Sequence, residues 1–249
     1  MSNRPVLVLV HAFPFGASMW RRQMTAFPGW PVVAPSLPGF DGHPRAADPT
    51  IDGYARDLLG TLDRMGIEQA VFGGLSMGGY TIFGVLRQAP ERALGLILAD
   101  TRTSTDTPER RAARQQSIGL ARTQGAAAIA DEMIPAILGP TTRRRRPEVV
   151  EEVRSLITSQ PAETIADGLQ AMMDRPDSTA LLDRITVPTT IIVGEEDTVT
   201  PPADAEFMHR RVRGSTLVTL STAGHMSNLE APDAFNDAVR VFLERNYSS

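Results

Sequence analysis

From Ala70 the chain runs Ala70-Val71-Phe72-Gly73-Gly74-Leu75-Ser76-Met77-Gly78-Gly79-Tyr80, and apolar residues resume as Thr81-Ile82-Phe83 with Val85-Leu86 before Pro90. An apolar strand pattern breaks into glycines around one serine and continues as a buried-helix pattern. The glycines and serine form G-x-S-x-G at Gly74, Ser76 and Gly78. Such a spacing turns up by chance roughly 0.1 times in a chain of this length and composition, so the flanking strand and helix carry most of its weight. A serine at the apex of so tight a turn takes strained backbone dihedrals. Side chains two residues to either side would collide with neighbouring backbone, and glycine avoids that. The turn lifts the hydroxyl above the N-terminus of the next helix, where the dipole and free N–H groups favour developing negative charge. The same glycines do not make a dinucleotide fingerprint, because neither Gly73 nor Gly74 begins a G-x-G-x-x-G.

Working outward, Val6 to Val10, Val32-Val33-Ala34, Leu94 to Ala99, Thr189 to Val193 and Thr216 to Leu220 also read as strands. Most are continuously apolar and rich in Val, Ile and Leu, which suits parallel strands covered on both faces. Helical patterns lie between them; Tyr54, Leu58, Leu62 and Met65 are spaced to share one face. The alternation predicts an α/β fold with a mostly parallel open sheet flanked by helices. One stretch breaks it. Residues 101–185 contain no convincing strand, but Thr107-Pro108 suits an N-cap followed by proline, and Pro147 and Pro161 precede apolar stripes. That is too much helix for one crossover, and Ile185-Thr186-Val187-Pro188 offers no polar linker of the kind a separate domain would have. The reading is therefore a core of residues 1–100 and 186–249 with a helical cap, 101–185, inserted over the sheet.

The whole chain has 249 residues, of which 42% are hydrophobic and 22% charged, the balance of an ordinary globular protein. With 25 basic and 29 acidic side chains its net charge is −4, of the wrong sign for a dedicated nucleic-acid binder. The run Arg143-Arg144-Arg145-Arg146 precedes a helix pattern and reads as solvated surface rather than a nucleic-acid patch. Cysteine is absent, which removes disulfides, cysteine nucleophiles and thiolate metal sites. No signal-peptide core or membrane-length apolar run is visible, so the expected location is cytoplasmic.

A serine hydroxyl needs an adjacent base, normally histidine. Four are available. His43 sits in a Pro/Gly-rich loop and His209 among arginines, both reading as surface residues, while His11 ends the first strand. His225, in the turn Thr222-Ala223-Gly224-His225-Met226 after the last strand, lies at a carboxyl end, where ligands bind in such sheets. By elimination it is the base. Its acidic partner should come from Gly194-Glu195-Glu196-Asp197, at another carboxyl end. Asp197 is preferred, giving the chain order Ser76…Asp197…His225. Glu196 is an alternative, and so is Asp100, although hydrogen bonding to the start of the cap is the better expectation for the latter.

With these residues in view the chain resembles the α/β-hydrolases, in particular the esterase, enol-lactonase and cofactor-free haloperoxidase-like group. The resemblance spans essentially the whole length. It rests on His11-Ala12-Phe13-Pro14, Gly74-Leu75-Ser76-Met77-Gly78-Gly79, Gly194-Glu195-Glu196-Asp197, and Gly224-His225 with Glu230-Ala231-Pro232. It implies that the backbone N–H groups of Phe13 and Met77 form the oxyanion hole, and that His11 braces a loop. Ala12 stands where the family's H-G-x-P has glycine, and Pro35-Ser36-Leu37-Pro38-Gly39-Phe40 replaces its commoner acidic, G-x-G pattern.

The expected activity is hydrolysis of small, largely apolar carboxylic esters through an acyl-enzyme, with no cofactor and no metal. A lactonase acting on a carboxylate-bearing lactone is the alternative, and a carbon–carbon hydrolase or a ligand receptor on the same fold comes further behind. Serine at the elbow disfavours the haloalkane dehalogenases and epoxide hydrolases, which use aspartate there. The expected partner is a small molecule, not nucleic acid or membrane. Met133, Ile137, Leu169, Met172 and Met173 are the cap residues expected to shape the pocket, with Arg102 and Arg122 as candidate carboxylate binders.

Overall fold

Continuous apolar runs need cover on both faces, and the sheet provides it. The computed structural model describes residues 4–247. Its strands are β1 (Val6–Val10), β2 (Val32–Val33), β3 (Ala70–Leu75), β4 (Ala93–Ala99), β5 (Thr189–Gly194) and β6 (Thr216–Leu220), in the order β2-β1-β3-β4-β5-β6. Every pairing is parallel. Strands β3 and β5 are buried at every residue, whereas edge strand β6 keeps most of its length half-buried and alternates Thr216, Val218 and Leu220 with Leu217 and Thr219. The apolar runs of the sequence match the strands within a residue or two, except that β3 continues past Phe72 through Gly73 and Gly74 to Leu75.

The order of connection positions the site. From β1 the chain steps outward to β2, then returns across β1 to lay β3 on its other side. Connections leaving β1 and β3 therefore diverge, opening a crevice beyond the carboxyl ends of those two strands, which is where ligands bind in open sheets. Both the Phe13 segment and Ser76 follow these strands.

Helices α1 (Ile51–Arg64) and α2 (Met77–Gln88) pack on each other, and α7 (Pro202–Arg211) and α9 (Pro232–Tyr247), which follows the single turn α8 (Ser227–Glu230), pack on β5 and β6. In α1 the Thr50 hydroxyl caps the helix by accepting from the Gly53 N–H at 2.9 Å. Tyr54, Leu58 and Leu62 are buried as their spacing predicts, but Met65 is 49% exposed. The helix ends at Arg64, so Met65 falls at the cap position and off the stripe.

Between β4 and β5 the chain is helical: α3 (Pro108–Ile137), α4 (Pro140–Arg145), α5 (Pro147–Thr158) and α6 (Ala162–Met173), with a short 3₁₀ turn at Thr179–Arg184. Thr107 caps α3 and Pro108 opens it. Helix α3 packs against both α5 and α6. Side chains fasten this segment to the body. Arg22 makes a two-pronged pair with Glu152 at 2.7 and 2.8 Å, Arg45 does the same with Asp167 at 2.8 Å, and the Thr164 hydroxyl donates to the Gly39 carbonyl at 3.0 Å. Arg143, Arg144 and Arg145 are exposed, as expected of a solvated run. Arg146 is half-buried and donates to the Glu230 carbonyl at 2.6 Å.

Candidate active site

Ser76 sits between β3 and α2 with φ 55° and ψ −112°, a backbone that a non-glycine residue holds only when its surroundings enforce it. They do so through close packing. A Cβ on Gly74 would lie 2.5 Å from the Gly78 carbonyl carbon, and one on Gly78 would lie 2.1 Å from the Val10 carbonyl oxygen. The second approach brings the start of α2 against the end of β1, so the segment that follows β1 lies beside Ser76.

His225 comes from the turn after β6 and Asp197 from the turn after β5. The Ser76 hydroxyl and His225 Nε2 are 2.8 Å apart, and His225 Nδ1 and Asp197 Oδ2 are also 2.8 Å apart. Both distances are those of good hydrogen bonds. All three residues are buried, Ser76 being the most open at 8% exposure. Asp197 is satisfied on every side: its Oδ1 accepts from the Val199 and Thr200 N–H groups at 2.7 and 3.0 Å, and the Thr200 hydroxyl donates to Oδ2 at 2.7 Å. Burial alone would push its carboxyl up. The charge on His225 and hydrogen bonds from His225 and Thr200 outweigh that and hold it below the usual carboxylate range. An ionised acid therefore faces the histidine at neutral pH.

His11 is fully buried at the end of β1. Its Nε2 accepts from the Leu37 N–H at 3.0 Å and its Nδ1 donates to the Ala12 carbonyl at 2.9 Å, so the ring ties the loop after β1 to the loop after β2. Burial lowers its pKa to about 4. His43 is exposed, and His209 is half-buried with Nδ1 2.8 Å from the Ser215 hydroxyl; neither is among the partners of Ser76.

The two alternative acids are engaged elsewhere. Glu196 accepts from the backbone N–H and hydroxyl of Thr141, at the start of α4. Asp100 does not hydrogen-bond to the start of the helical insertion, contrary to the expectation. Its carboxyl meets the Gly194 N–H at 2.8 Å and the Ser227 hydroxyl, because its φ of 43° turns it towards the neighbouring strand ends.

A cavity of about 140 Å³ opens beside Phe13, lined by Ala113, Arg114, Ser117, Ile129, Glu132, Met133 and Leu169. Met133 and Leu169 line this cavity, whose walls include Phe13 but neither Ser76 nor His225. Ile137, Met172 and Met173 pack instead, with the Ile137 carbonyl accepting from the His225 N–H at 3.0 Å. Neither arginine singled out from sequence lines the cavity: Arg102 pairs with Asp204 at 3.3 Å, and Arg122 pairs with Glu163 at 3.4 Å on the surface. Arg114 does line it, although no motif or spacing marks it. Arg114 and Arg175 both contact Asp106, at 2.6 and 2.9 Å, so two guanidinium groups share one carboxylate. Thr200 and Glu230 were likewise unmarked as supports of the site. Glu230 accepts from the Gly139 and Met226 N–H groups at 2.8 and 3.0 Å, next to His225.

A parallel sheet with a serine on a strained strand-to-helix turn, and acid and histidine on later strand ends, is the architecture of α/β-hydrolases. The chain belongs to the alpha/beta hydrolase family, whose sequence profile matches residues 7–238. It is 32% identical over 246 residues to 3-oxoadipate enol-lactonase 2 of Acinetobacter baylyi, covering 98% of this chain and 90% of that one. A thermophilic esterase from Thermogutta terrifontis superposes with a TM-score of 0.94 at 36% identity, over 99% of this chain and 92% of the esterase. The enol-lactonase of Burkholderia xenovorans does so with a TM-score of 0.89 at 30% identity, over 97% and 92% of the two chains. Esterases and enol-lactonases are thus among the relatives of this hydrolase.

Proposed function

We propose that the chain is a serine hydrolase that cleaves carboxylic esters of small, largely apolar substrates through an acyl-enzyme. The observation that carries the reading is the unbroken relay from ionised Asp197 through His225 to Ser76, with 2.8 Å at each step. Asp197 fixes the His225 tautomer with Nδ1 protonated, leaving Nε2 to take the Ser76 proton. Ser76 Oγ attacks the carbonyl carbon, and the N–H groups of Phe13 and Met77 receive the developing oxyanion, each worth about 3–4 kcal/mol in such a site. His225 then protonates the departing alcohol, and water attacks the acyl-enzyme by the same route. The helical segment 101–185 acts as the cap, and the apolar side chains of Ala113, Ile129, Met133 and Leu169 beside Phe13 suit a short acyl or alcohol group.

A second reading, lactonase action on a carboxylate-bearing lactone, is favoured by one observation. Arg114 lines the cavity and offers guanidinium N–H donors to a carboxylate, with Glu132 in the same lining and Asp106 pairing it at 2.6 Å. The enol-lactonases among the relatives point the same way. A panel of p-nitrophenyl esters graded in acyl length, with neutral and carboxylate-bearing lactones, separates the two readings. On every substrate that turns over, Ser76→Ala is expected to lower kcat by about 10³-fold or more. Wild-type rates in that variant would refute the assignment.

A further inference from the structure

Three consecutive residues at the end of β4 hold the three parts of the proposed triad. The Ala99 carbonyl accepts from the Ser76 N–H at 3.0 Å, and the Thr101 hydroxyl donates to the Ser76 carbonyl at 2.9 Å. Between them, Asp100 sends its carboxyl the other way. Oδ1 accepts from the Gly194 N–H at 2.8 Å, three residues before Asp197, and Oδ2 shares a hydrogen bond with the hydroxyl of Ser227, two residues after His225. Asp100 is 1% exposed and holds a left-handed backbone, φ 43°, that costs free energy in any residue with a Cβ. Nothing in the acyl-transfer steps uses it.

We propose that Asp100 is a positioning residue that locks the acid-bearing and base-bearing turns in register with Ser76, acting as a hydrogen-bonding group rather than as a charge. The inference rests on the serine-hydrolase reading. The two turns are already drawn together by backbone contact, since a Cβ on Gly194 would meet the Gly224 carbonyl oxygen at 2.1 Å. The β4–β5 backbone ladder ends where the Asp100 N–H donates to the Ile192 carbonyl at 2.9 Å, and the Asp100 carboxyl carries the tie beyond it, to Gly194 and Ser227. One carboxyl reaches both because its two oxygens can serve two loops. The charged groups that face it from those loops, Asp197 and Glu230, are both acidic, and the titratable His225 ring lies beyond Asp197. Burial and the Asp197 charge push the Asp100 carboxyl well above the usual carboxylate range. The Ser227 hydroxyl donates to Oδ2, and a protonated carboxyl can keep the same pair with donor and acceptor exchanged while the Gly194 bond is kept.

The test compares Asp100→Ala, Asp100→Asn and Ser227→Ala with wild type on the fastest p-nitrophenyl ester, alongside the rate at which a fluorophosphonate labels Ser76. Misplacement of the turns in Asp100→Ala is expected to lower kcat and the labelling rate about 10- to 100-fold, with KM within about twofold. Asparagine offers an acceptor to Gly194 and a donor to Ser227, so Asp100→Asn should restore kcat to within about threefold of wild type. The pH at which kcat/KM falls on the acid side should stay where it is in wild type, because no charge has been removed. Ser227→Ala severs one tie without emptying the buried acid site, and should lower kcat about 3- to 10-fold even if Asp100→Ala proves too unstable to assay. Wild-type kcat in folded Asp100→Ala or Ser227→Ala would overturn the proposal, as would an acid limb displaced by Asp100→Asn. A wild type inert to esters and fluorophosphonate alike would instead defeat the hydrolase reading itself.

Discussion

His11 is fully buried, and its ring is committed at both nitrogens, to Leu37 N–H and to the Ala12 carbonyl. Protonating Nε2 would break the first bond and bury a charge, which is why burial brings its pKa from 6.5 down to about 4. Between about pH 6.5 and 4 the unfolded chain binds a proton at this residue and the folded chain does not, so stability falls as the pH drops through that window and levels off below it. At 1.36 kcal/mol per pH unit the loss amounts to roughly 3 kcal/mol. Denaturant titrations at several pH values should therefore show a shallower acid loss in His11→Asn than in wild type across this window. Parallel curves for the two proteins would show that the buried ring contributes nothing. The same residue shows where sequence reasoning succeeds and stops. The resemblance assigned His11 to bracing, but its partner Leu37 is 26 positions away. Ser76, Asp197 and His225 were legible because each follows an apolar strand in a glycine-bearing turn. Thr200, Ser227 and Arg114 follow no such pattern, and Asp100, which does end an apolar strand, has partners in Gly194 and Ser227 that meet it only in the folded chain.

At the scale of elements, the strands read clearly because a parallel sheet buries both faces and tolerates few polar residues, leaving continuous apolar runs. The helical insertion was legible as helix from its prolines and stripes, but not in its shape. Helix α3 bends at Gly125, whose φ of 78° and ψ of −175° lie in a region open essentially to glycine alone. No heavy atom lies within 4 Å of the position a Cβ would take there, so a substitution meets backbone strain and no steric clash. Gly125→Ala should accordingly cost about 1–3 kcal/mol of stability by denaturant unfolding, with the secondary structure retained. An unchanged midpoint would mean that α3 can straighten at no cost. The bend also bears on function, since Ala113, Arg114 and Ser117 on one side of it and Ile129, Glu132 and Met133 on the other all line the cavity beside Phe13. A straight helix could not present both sets to the same space.

For the whole molecule, the sheet supplies a rigid edge and the connections supply the chemistry. Residues separated by 149 positions, Ser76 and His225, are brought to 2.8 Å because three strand ends open on the same side. Among the described residues no helix is long and apolar enough to cross a membrane. The helical segment between β4 and β5 is joined to the body through paired side chains such as Arg22 with Glu152, about one-third exposed, whose individual worth at a surface is at most about 1 kcal/mol. Its hold on the body comes from apolar packing, including Ile137 and Leu138 beside the His225 turn and Leu169 beside Phe13. The central claim is that one hydroxyl, armed by this convergence, carries the acyl group during turnover. Rapid acid quenching of the reaction with p-nitrophenyl acetate, followed by peptide mass mapping, tests it directly. An acetyl group is expected on the peptide bearing Ser76 in wild type and none in Ser76→Ala. Steady turnover with the acetyl group found on a different residue, or undiminished in Ser76→Ala, would contradict it.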